Sequence, residues 1–502
     1  MPASLCYRGH GPLLQILVTR SDHSHQLMHT TVRLLFVLLF SALGTAHALA
    51  DDFPAPVAQA LKAAGIPQAA TALLVQELDS SWPRVAINAR APLNPASTMK
   101  LVTTFAALDL LGPAFTWKTE ALAHGTLVDG VLNGDLYLRG GGDPKLTYEQ
   151  FGRLLRQIRG RGVREIRGDL VLDRSAFALP DADDARFDAQ PTRPYNVAPD
   201  ALMVNFKAIT LRLLPEEDGK TISVFSEPAP ANLDLINQLK QTGNGANCGD
   251  WREQLRADLF AHGATTRLVL TGNYPAGCGE QRWNIAVQDH PGFISGVFRQ
   301  LWAELGGSIR GGVRDGVVPA AARSLAVLPS PTLSEVVRDI NKFSNNVMAR
   351  QLFITLGMES GRRPARAEDG ELAVRSWLET RGLKIPELVL ENGSGLSRRE
   401  RISAASLARL LQLAWRSAVM PELMASLPVT ATDGTMKKRL KQNGVAGQAH
   451  IKTGSLEGVR AIAGYVLDRS GKRWVVVFLV NHANAALAQP AQDALLQWIY
   501  ER

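Results

Sequence analysis

At 502 residues, 46% hydrophobic and 20% charged, the chain is too long for one ordinary domain and too apolar for wholesale disorder. It has no collagen-like repeat and no series of long apolar spans, which excludes fibrous and multi-span membrane classes. Its formal net charge of +8 is modest for its size, and no aromatic and basic recognition motif points to nucleic acid.

The first candidate element is the apolar run 34–43, which follows Arg33 and leads to Ala48-Leu49-Ala50. A charged flank, a short apolar stretch and an A-x-A ending form the pattern of a cleaved secretory signal, and the run is too short for a comfortable membrane span. Residues 1–50 are therefore expected to be removed, with the mature chain starting at Asp51. Met28 opens a more ordinary signal, which makes 1–27 an odd leader and Met28 the alternative start. Removal leaves 52 basic and 46 acidic residues, a net charge of +6. Basic clusters at 153–167, 398–401 and 437–441 read as solvated helix faces more readily than as a surface for anionic cell wall or lipid headgroups. Export also leaves two cysteines, Cys248 and Cys278, in an oxidising compartment, and one structural disulfide between them is expected.

From Pro95 to Gly112 the chain is almost continuously apolar, with Leu101, Val102, Phe105, Ala106 and Leu110 filling a helix that must be buried on most sides. Pro95 starts that helix and Gly112-Pro113 ends it. Over 116–321 the texture changes to short alternating runs separated by glycine turns, which predicts β-rich insertions. Gly134-Asp135-Leu136-Tyr137-Leu138 and Gly168-Asp169-Leu170-Val171-Leu172 are near copies and predict two related strands. Arg139-Gly140-Gly141-Gly142-Asp143-Pro144 lacks the lysine and the spacing of a phosphate cradle, and reads as a tight turn. After residue 331 helical periodicity returns with Leu333, Val336, Val337 and Ile340. Ile451 opens a strand, 461–467 and 474–480 form a hairpin around Ser470-Gly471, and a last helix runs to about Tyr500.

The chemistry lies in three motifs that occur once each: Ser97-Thr98-Met99-Lys100, Ser344-Asn345-Asn346 and Lys452-Thr453-Gly454-Ser455. A serine hydroxyl is a poor nucleophile at neutral pH and needs a base within hydrogen-bond reach. Positions i and i+3 share a helix face, so Lys100 lies beside Ser97, and burial in an apolar helix lowers a lysine pKa in the direction a base needs. Together the motifs read as a serine site without histidine. Ser97 is the expected nucleophile and Lys100 its base. Ser344 and Lys452 are the expected proton relay to the leaving amine, and Asn346 the donor to a substrate carbonyl. Lys452, Thr453 and Ser455 present a cation and hydroxyls in a row, which suits a free C-terminal carboxylate. Backbone N–H groups of Ser97 and Ser455 are the candidates for the oxyanion hole. Only His124, His262, His290, His450 and His482 follow the signal, widely spaced, which gives a zinc site or a Ser-His-Asp triad little to build on. No cofactor or metal is expected. His450 is read as a core or edge histidine.

At these residues the chain resembles the low-molecular-mass class C penicillin-binding proteins, the serine D-alanyl-D-alanine carboxypeptidase/endopeptidases of the penicillin-binding protein 4 type. The likeness covers nearly all of 51–502. It extends to Gly140-Gly141-Gly142-Asp143-Pro144, Pro194-Tyr195-Asn196, Ala286-Val287-Gln288-Asp289, Gly393-Ser394-Gly395-Leu396-Ser397-Arg398 and Ser426-Leu427-Pro428. It implies an α/β (α+β) fold, with a penicillin-recognising catalytic domain in which helices sandwich an antiparallel sheet. The 247 positions from Ser97 to Ser344 leave room for the long insertion such proteins carry there. The expected division is a catalytic domain at 51–115 plus 322–502, an inserted β-rich domain at 116–185 plus 260–321, and a nested one at 186–259.

Members of this family remove the terminal D-alanine of peptidoglycan stem peptides and often cleave D-alanyl cross-links. The resemblance therefore implies peptidoglycan peptides as partners and β-lactams as covalent inhibitors. The signal implies a periplasmic location, while peripheral membrane or cell-wall association and a dimer are left open by the sequence. Two positions depart from relatives: Ser-Asn-Asn stands where Ser-Asp-Asn is common, and Glu457 where a glutamine can stand. Arg398 with Asp173 is expected to read the carboxylate and ammonium of a diaminopimelate side chain, with Glu457 modifying that preference. A secreted β-lactamase and a catalytically idle cell-wall scaffold are the competing readings. The first would need rapid deacylation and rarely carries so large an insertion. The second leaves an intact nucleophile, base and relay unexplained.

Overall fold

The computed structural model describes residues 52–180, 184–243, 248–263 and 265–502. The signal-peptide expectation lies outside the described residues. Among the described residues no helix is long and apolar enough to cross a membrane.

Five antiparallel strands form the central sheet: β1 (Thr71–Glu77), β2 (Val85–Ile87), β3 (Ala449–Leu456), β4 (Val459–Leu467) and β5 (Arg473–Asn481), in the order β3-β4-β5-β1-β2. β4 and β5 read as unbroken apolar runs because both faces of the sheet are covered. Along β4, Ala461, Ala463 and Tyr465 join a core with Phe105, Leu352 and Trp377, while Ile462 and Val466 point the other way. On that second face α1 (Ala55–Ala63) and the final helix Gln489–Tyr500 lie together, bringing Val57, Leu61, Leu495 and Ile499 onto the strands.

The first face carries α2 (Lys100–Leu111), α3 (Leu333–Phe343) and α4 (Asn346–Glu359). A tight 3₁₀ turn, Ala96–Met99, leads into α2, which is buried from Lys100 to Leu108. Gly112, at φ +79°, ends it, as the sequence predicts. Thr332 and Glu335 close a capping box at the start of α3.

The insertion leaves and re-enters the catalytic core as neighbouring strands. Lys118–Val128 pairs antiparallel with Arg323–Pro329, so the two ends of the excursion are hydrogen-bonded together. The near copies in the sequence lie in Val131–Gly140 and Leu170–Asp173. They run parallel, with Leu136 opposite Leu170 and Leu138 opposite Leu172, and the helix Tyr148–Gly160 lies between them in the chain. Two three-stranded sheets follow, one from Ala208–Pro215, Ile222–Glu227 and Gln281–Ala286, the other from Leu233–Thr242, Leu255–His262 and Thr265–Pro275. The expected boundary at 259 falls inside the strand Leu255–His262, whose antiparallel partner continues to Pro275. Backbone pairing holds those two strands in one sheet, and a change of sequence texture does not report that.

Helix α4 ties the insertion to the catalytic core. Buried Gln351 accepts from the Asp200 N–H at 2.9 Å and donates to the Asp200 carbonyl at 2.7 Å, and Trp117 Nε1 donates to Thr355 Oγ1 at 3.0 Å. Cys248 and Cys278 are disulfide-bonded within the inserted sheets, 30 positions apart. Closing a loop of that length stabilises by about 3–4 kcal/mol in the chain-entropy account. Replacing both cysteines by alanine should therefore lower the melting temperature of the insertion in calorimetry while covalent β-lactam labelling at 25 °C stays intact. Loss of labelling would show that the bridge also supports the catalytic core.

Candidate active site

The three motifs converge where the start of α2, the α3–α4 junction and the edge strand β3 of the central sheet meet. Two glycines allow that approach. A Cβ on Gly395 would lie 1.9 Å from the Ala96 carbonyl oxygen, and one on Gly454 would lie 2.7 Å from the Pro95 carbonyl oxygen and 3.1 Å from the Ser97 nitrogen. Asn94 holds the loop before Ser97. Its N–H donates to Asn481 Oδ1 at 2.8 Å, its Nδ2 to the Ser397 carbonyl at 2.8 Å, and its Oδ1 accepts from the Ala96 N–H at 2.8 Å. Ala96 itself adopts φ +45°, an unfavourable conformation for a side-chain-bearing residue.

Lys100 is buried, and its amine meets three acceptors: Ser97 Oγ at 3.0 Å, Asn346 Oδ1 at 2.5 Å and the Ser394 carbonyl at 2.5 Å. Three acceptors match the three protons of an ammonium, and loss of one proton leaves a lone pair within reach of the Ser97 hydroxyl. Burial first, then the neighbouring charge of Lys452, holds Lys100 well below the ordinary lysine range, with Glu400 opposing and Arg350 adding to the effect. Lys452 is also buried, and its amine donates to Ser344 Oγ at 2.9 Å and to the Thr453 carbonyl at 2.8 Å. Burial brings its pKa down to about 7. Both amines can exchange protons far more readily than an exposed lysine.

Ser344 ends α3 in the left-handed region, at φ +57° and ψ +37°, and this turn directs its hydroxyl to Lys452. Asn345 then caps α4, its side chain accepting from the Met348 N–H at 3.0 Å. Asparagine and aspartate cap helices about equally well, which accounts for the Ser-Asn-Asn departure. Asn346 engages Lys100 through Oδ1, which leaves the Nδ2 side of the amide as its donor. Thr453 Oγ1 donates to Thr435 Oγ1 at 2.7 Å, and Ser455 is exposed on β3 and bonded by Arg460.

Sequence reasoning missed several neighbours. The Ser394 carbonyl that holds Lys100 and the Gly393 carbonyl that accepts from Thr103 Oγ1 at 2.7 Å belong to a turn gathered around buried Glu400. Glu400 Oε1 accepts from the N–H groups of Glu391 at 3.1 Å, Asn392 at 3.0 Å and Gly393 at 3.1 Å. The Gly-Ser-Gly run was the one visible signal for this turn. His450 has its Nδ1 3.1 Å from the Met424 carbonyl, and burial lowers its pKa, as a core histidine requires.

Asp173 and Arg398, expected to read opposite charges of one side chain, share no ion pair with each other and have different partners. Asp173 is buried in the inserted sheet, where one carboxylate oxygen accepts from the Ser175 N–H at 3.1 Å and its Oγ at 2.6 Å, and the other accepts from the Val318 N–H at 3.0 Å. These three local donors brace the turn that carries Asp173. Arg398 instead donates to the Glu457 carboxylate at 3.0 Å and its carbonyl at 2.9 Å, with its guanidinium 5.2 Å from the Phe187 ring centre. It lines a cavity of about 450 Å³ in which Asp184 and Glu391 are the acidic groups.

Residues 54–501 match the D-Ala-D-Ala carboxypeptidase 3 (S13) family, and the chain belongs to it. It is 27% identical over 395 residues, 77% of this chain and 80% of the relative, to the D-alanyl-D-alanine carboxypeptidase DacB of Haemophilus influenzae. Identity to a D-alanyl-D-alanine carboxypeptidase of an Actinomadura species is 29% over 419 residues, 80% of this chain and 76% of that one. The crystal structure of penicillin-binding protein 4 from Haemophilus influenzae superposes with a TM-score of 0.74 at 24% identity, covering 89% of this chain and 99% of that one. The fold is that of the penicillin-recognising serine DD-peptidases, and the chain is a serine-type peptidase.

A base must be unprotonated before it can accept the serine proton, so the rate rises with pH. Acylation by a β-lactam, followed by stopped-flow or gel labelling, should climb with pH through a midpoint well below 10.5, the ordinary lysine value. Lys100→Arg, permanently protonated, should slow it by about 10²–10⁴-fold. A pH-independent rate in the wild type would exclude Lys100 as the base.

Proposed function

We propose that this chain removes the terminal D-alanine of peptidoglycan stem peptides through an acyl-enzyme on Ser97, and also cleaves the D-alanyl cross-links between stems. The observation that carries the reading is the buried Lys100 amine 3.0 Å from Ser97 Oγ, with the Lys452–Ser344 pair completing a second proton path.

As Ser97 Oγ attacks the carbonyl carbon of the penultimate D-alanine, Lys100 accepts the hydroxyl proton. The oxyanion that forms is met by the backbone N–H groups of Ser97 and Ser455. When the C–N bond breaks, the leaving nitrogen takes a proton from Ser344, which Lys452 replenishes. Asn346 donates through Nδ2 to a backbone carbonyl of the substrate, while Thr453 and Ser455 take the carboxylate of the leaving residue. Lys100 hands the proton it gained across the site to Lys452, which restores both amines. Water then attacks the ester carbonyl, and Lys100 takes its proton and gives it to Ser97 Oγ as the ester C–O bond breaks, which frees a stem shortened by one residue. Cross-link cleavage uses the same steps, with the amine of the neighbouring stem as leaving group.

Arg398 faces the cavity beside Phe187 and, once released from exposed Glu457, meets the carboxylate of a diaminopimelate side chain. An exposed ion pair of this kind contributes under about 1 kcal/mol, so the substrate displaces it easily. The chain acts in the periplasm after export.

Incubation with purified muropeptides tests this reading. The wild type should release terminal D-alanine and convert cross-linked dimers to monomers, Ser97→Ala should do neither, and only the wild type should retain a fluorescent penicillin through denaturation. Rapid loss of the bound penicillin would point to a β-lactamase instead. In the same assay Arg398→Ala should lower turnover of diaminopimelyl stems more than of lysyl stems, whereas equal losses would remove Arg398 from side-chain recognition.

A further inference from the structure

Arg460 is a guanidinium in an otherwise uncharged strand, Val-Arg-Ala-Ile-Ala-Gly-Tyr-Val-Leu, and it lies directly opposite Ser455 of the motif strand β3. Residues paired in an antiparallel register project to the same face, and Arg460 Nη1 donates to Ser455 Oγ. The side chain is partly buried, and among the described residues no carboxylate pairs with it. The charge that acts on it, Arg439, is itself engaged by Asp493 at 2.5 Å. The nearby carboxylate Glu457 is taken by Arg398, so among the described residues Arg460 is a cation with no anion paired to it. Burial, then the charge of Arg439, disfavours its protonated state, and an arriving carboxylate would relieve both.

Position within the fold says where that anion belongs. β3 is the edge strand of the central sheet; its first half is bridged by 428–430, no strand pairs with its outer edge from Lys452 onward, and Gly454 packs against the Ser97 loop. Ser455, the next residue, therefore stands beside the reacting carbonyl. In a D-alanyl-D-alanine substrate the carboxylate of the leaving residue is three bonds beyond that carbonyl carbon. The hydroxyls of Thr453 and Ser455 give it neutral donors and Arg460 gives it a fork of charged ones.

We infer that Arg460 is a specificity-determining residue: it engages the free carboxylate of the residue that is cleaved off, through the face it shares with Ser455. The inference rests on the carboxypeptidase reading and deepens it, because it makes the requirement for a free carboxylate the work of one cation on the strand next to the motif strand. Without a charge there, the serine and threonine hydroxyls alone would discriminate weakly between a carboxylate and a neutral amide at the same place.

The test uses the full mature enzyme and two synthetic stem peptides that end in D-Ala-D-Ala, one with the free carboxylate and one with a C-terminal carboxamide. The wild type should prefer the acid. Arg460→Ala should lower kcat/KM on the acid by roughly 10- to 100-fold, the range expected for a hydrogen bond to a charged group, and change the amide by less than about threefold. Arg460→Lys should restore part of the acid preference, since a point charge remains but the fork is lost. A residue that merely supported the strand would slow both peptides together, so equal losses, or an acid preference retained in Arg460→Ala, overturn the inference while leaving the carboxypeptidase reading in place. Failure of the wild type to cleave the acid peptide overturns both.

Discussion

A single buried amine sets the terms for the rest of the molecule. Lys100 has no solvent around it, so each of its protons must find an oxygen inside the protein, and those oxygens come from its own helix start, from the cap of α4 and from the 393–395 turn. An unpaired polar group at that depth would cost several kcal/mol, and an unpaired charge more. The three segments are consequently held in one arrangement by the need to satisfy one side chain. That same arrangement places the amine against Ser97 Oγ. The desolvation that makes the lysine expensive to bury also makes it a usable base at moderate pH, so stability and reactivity trade against each other at one atom.

Local irregularities around the site follow from the same demand. Ala96 and Ser344 both adopt positive φ, one on each side of the amine, where most residues of this size would avoid it. Each is braced by neighbours: Ala96 by Asn94, Ser344 by the capped start of α4. Glu400 gives the 391–393 backbone its acceptor, and its second oxygen is buried without a hydrogen-bond partner in the structure. A carboxylate in such a place is raised in pKa by burial and drawn down again by the backbone N–H groups and by Lys100. The site is an interlocked set of groups whose charges depend on one another, and removing one member disturbs the others.

The insertion contributes through its attachment more than through its own sheets. Because its first and last strands pair with each other, a segment of about two hundred residues is anchored at a narrow base, and loop-closure entropy grows only slowly with its length. Gln351 on α4, two-way bonded to Asp200, makes the base rigid next to the helix that carries Asn346. The cavity beside Arg398 is walled on one side by insertion residues.

Much of this was readable before folding was considered. Three short motifs named the side chains that the structure gathers, apolar periodicity placed α2 and the closing hairpin, and the two cysteines beyond the N-terminal apolar run predicted their own bridge. These features are local: spacing of three along a helix, alternation along a strand, and the chemistry of a hydroxyl beside an amine are properties of neighbouring residues. The tertiary structure alone decided the rest. The Ser394 carbonyl is a backbone atom that any residue could supply, the partners of Glu400 are backbone N–H groups, and Asp173 looked free until its turn closed around it. Arg460 meets Ser455 only because β3 and β4 pair in one register. Backbone atoms carry no residue identity and register depends on the whole sheet, so contacts of that kind exist only once the chain has folded.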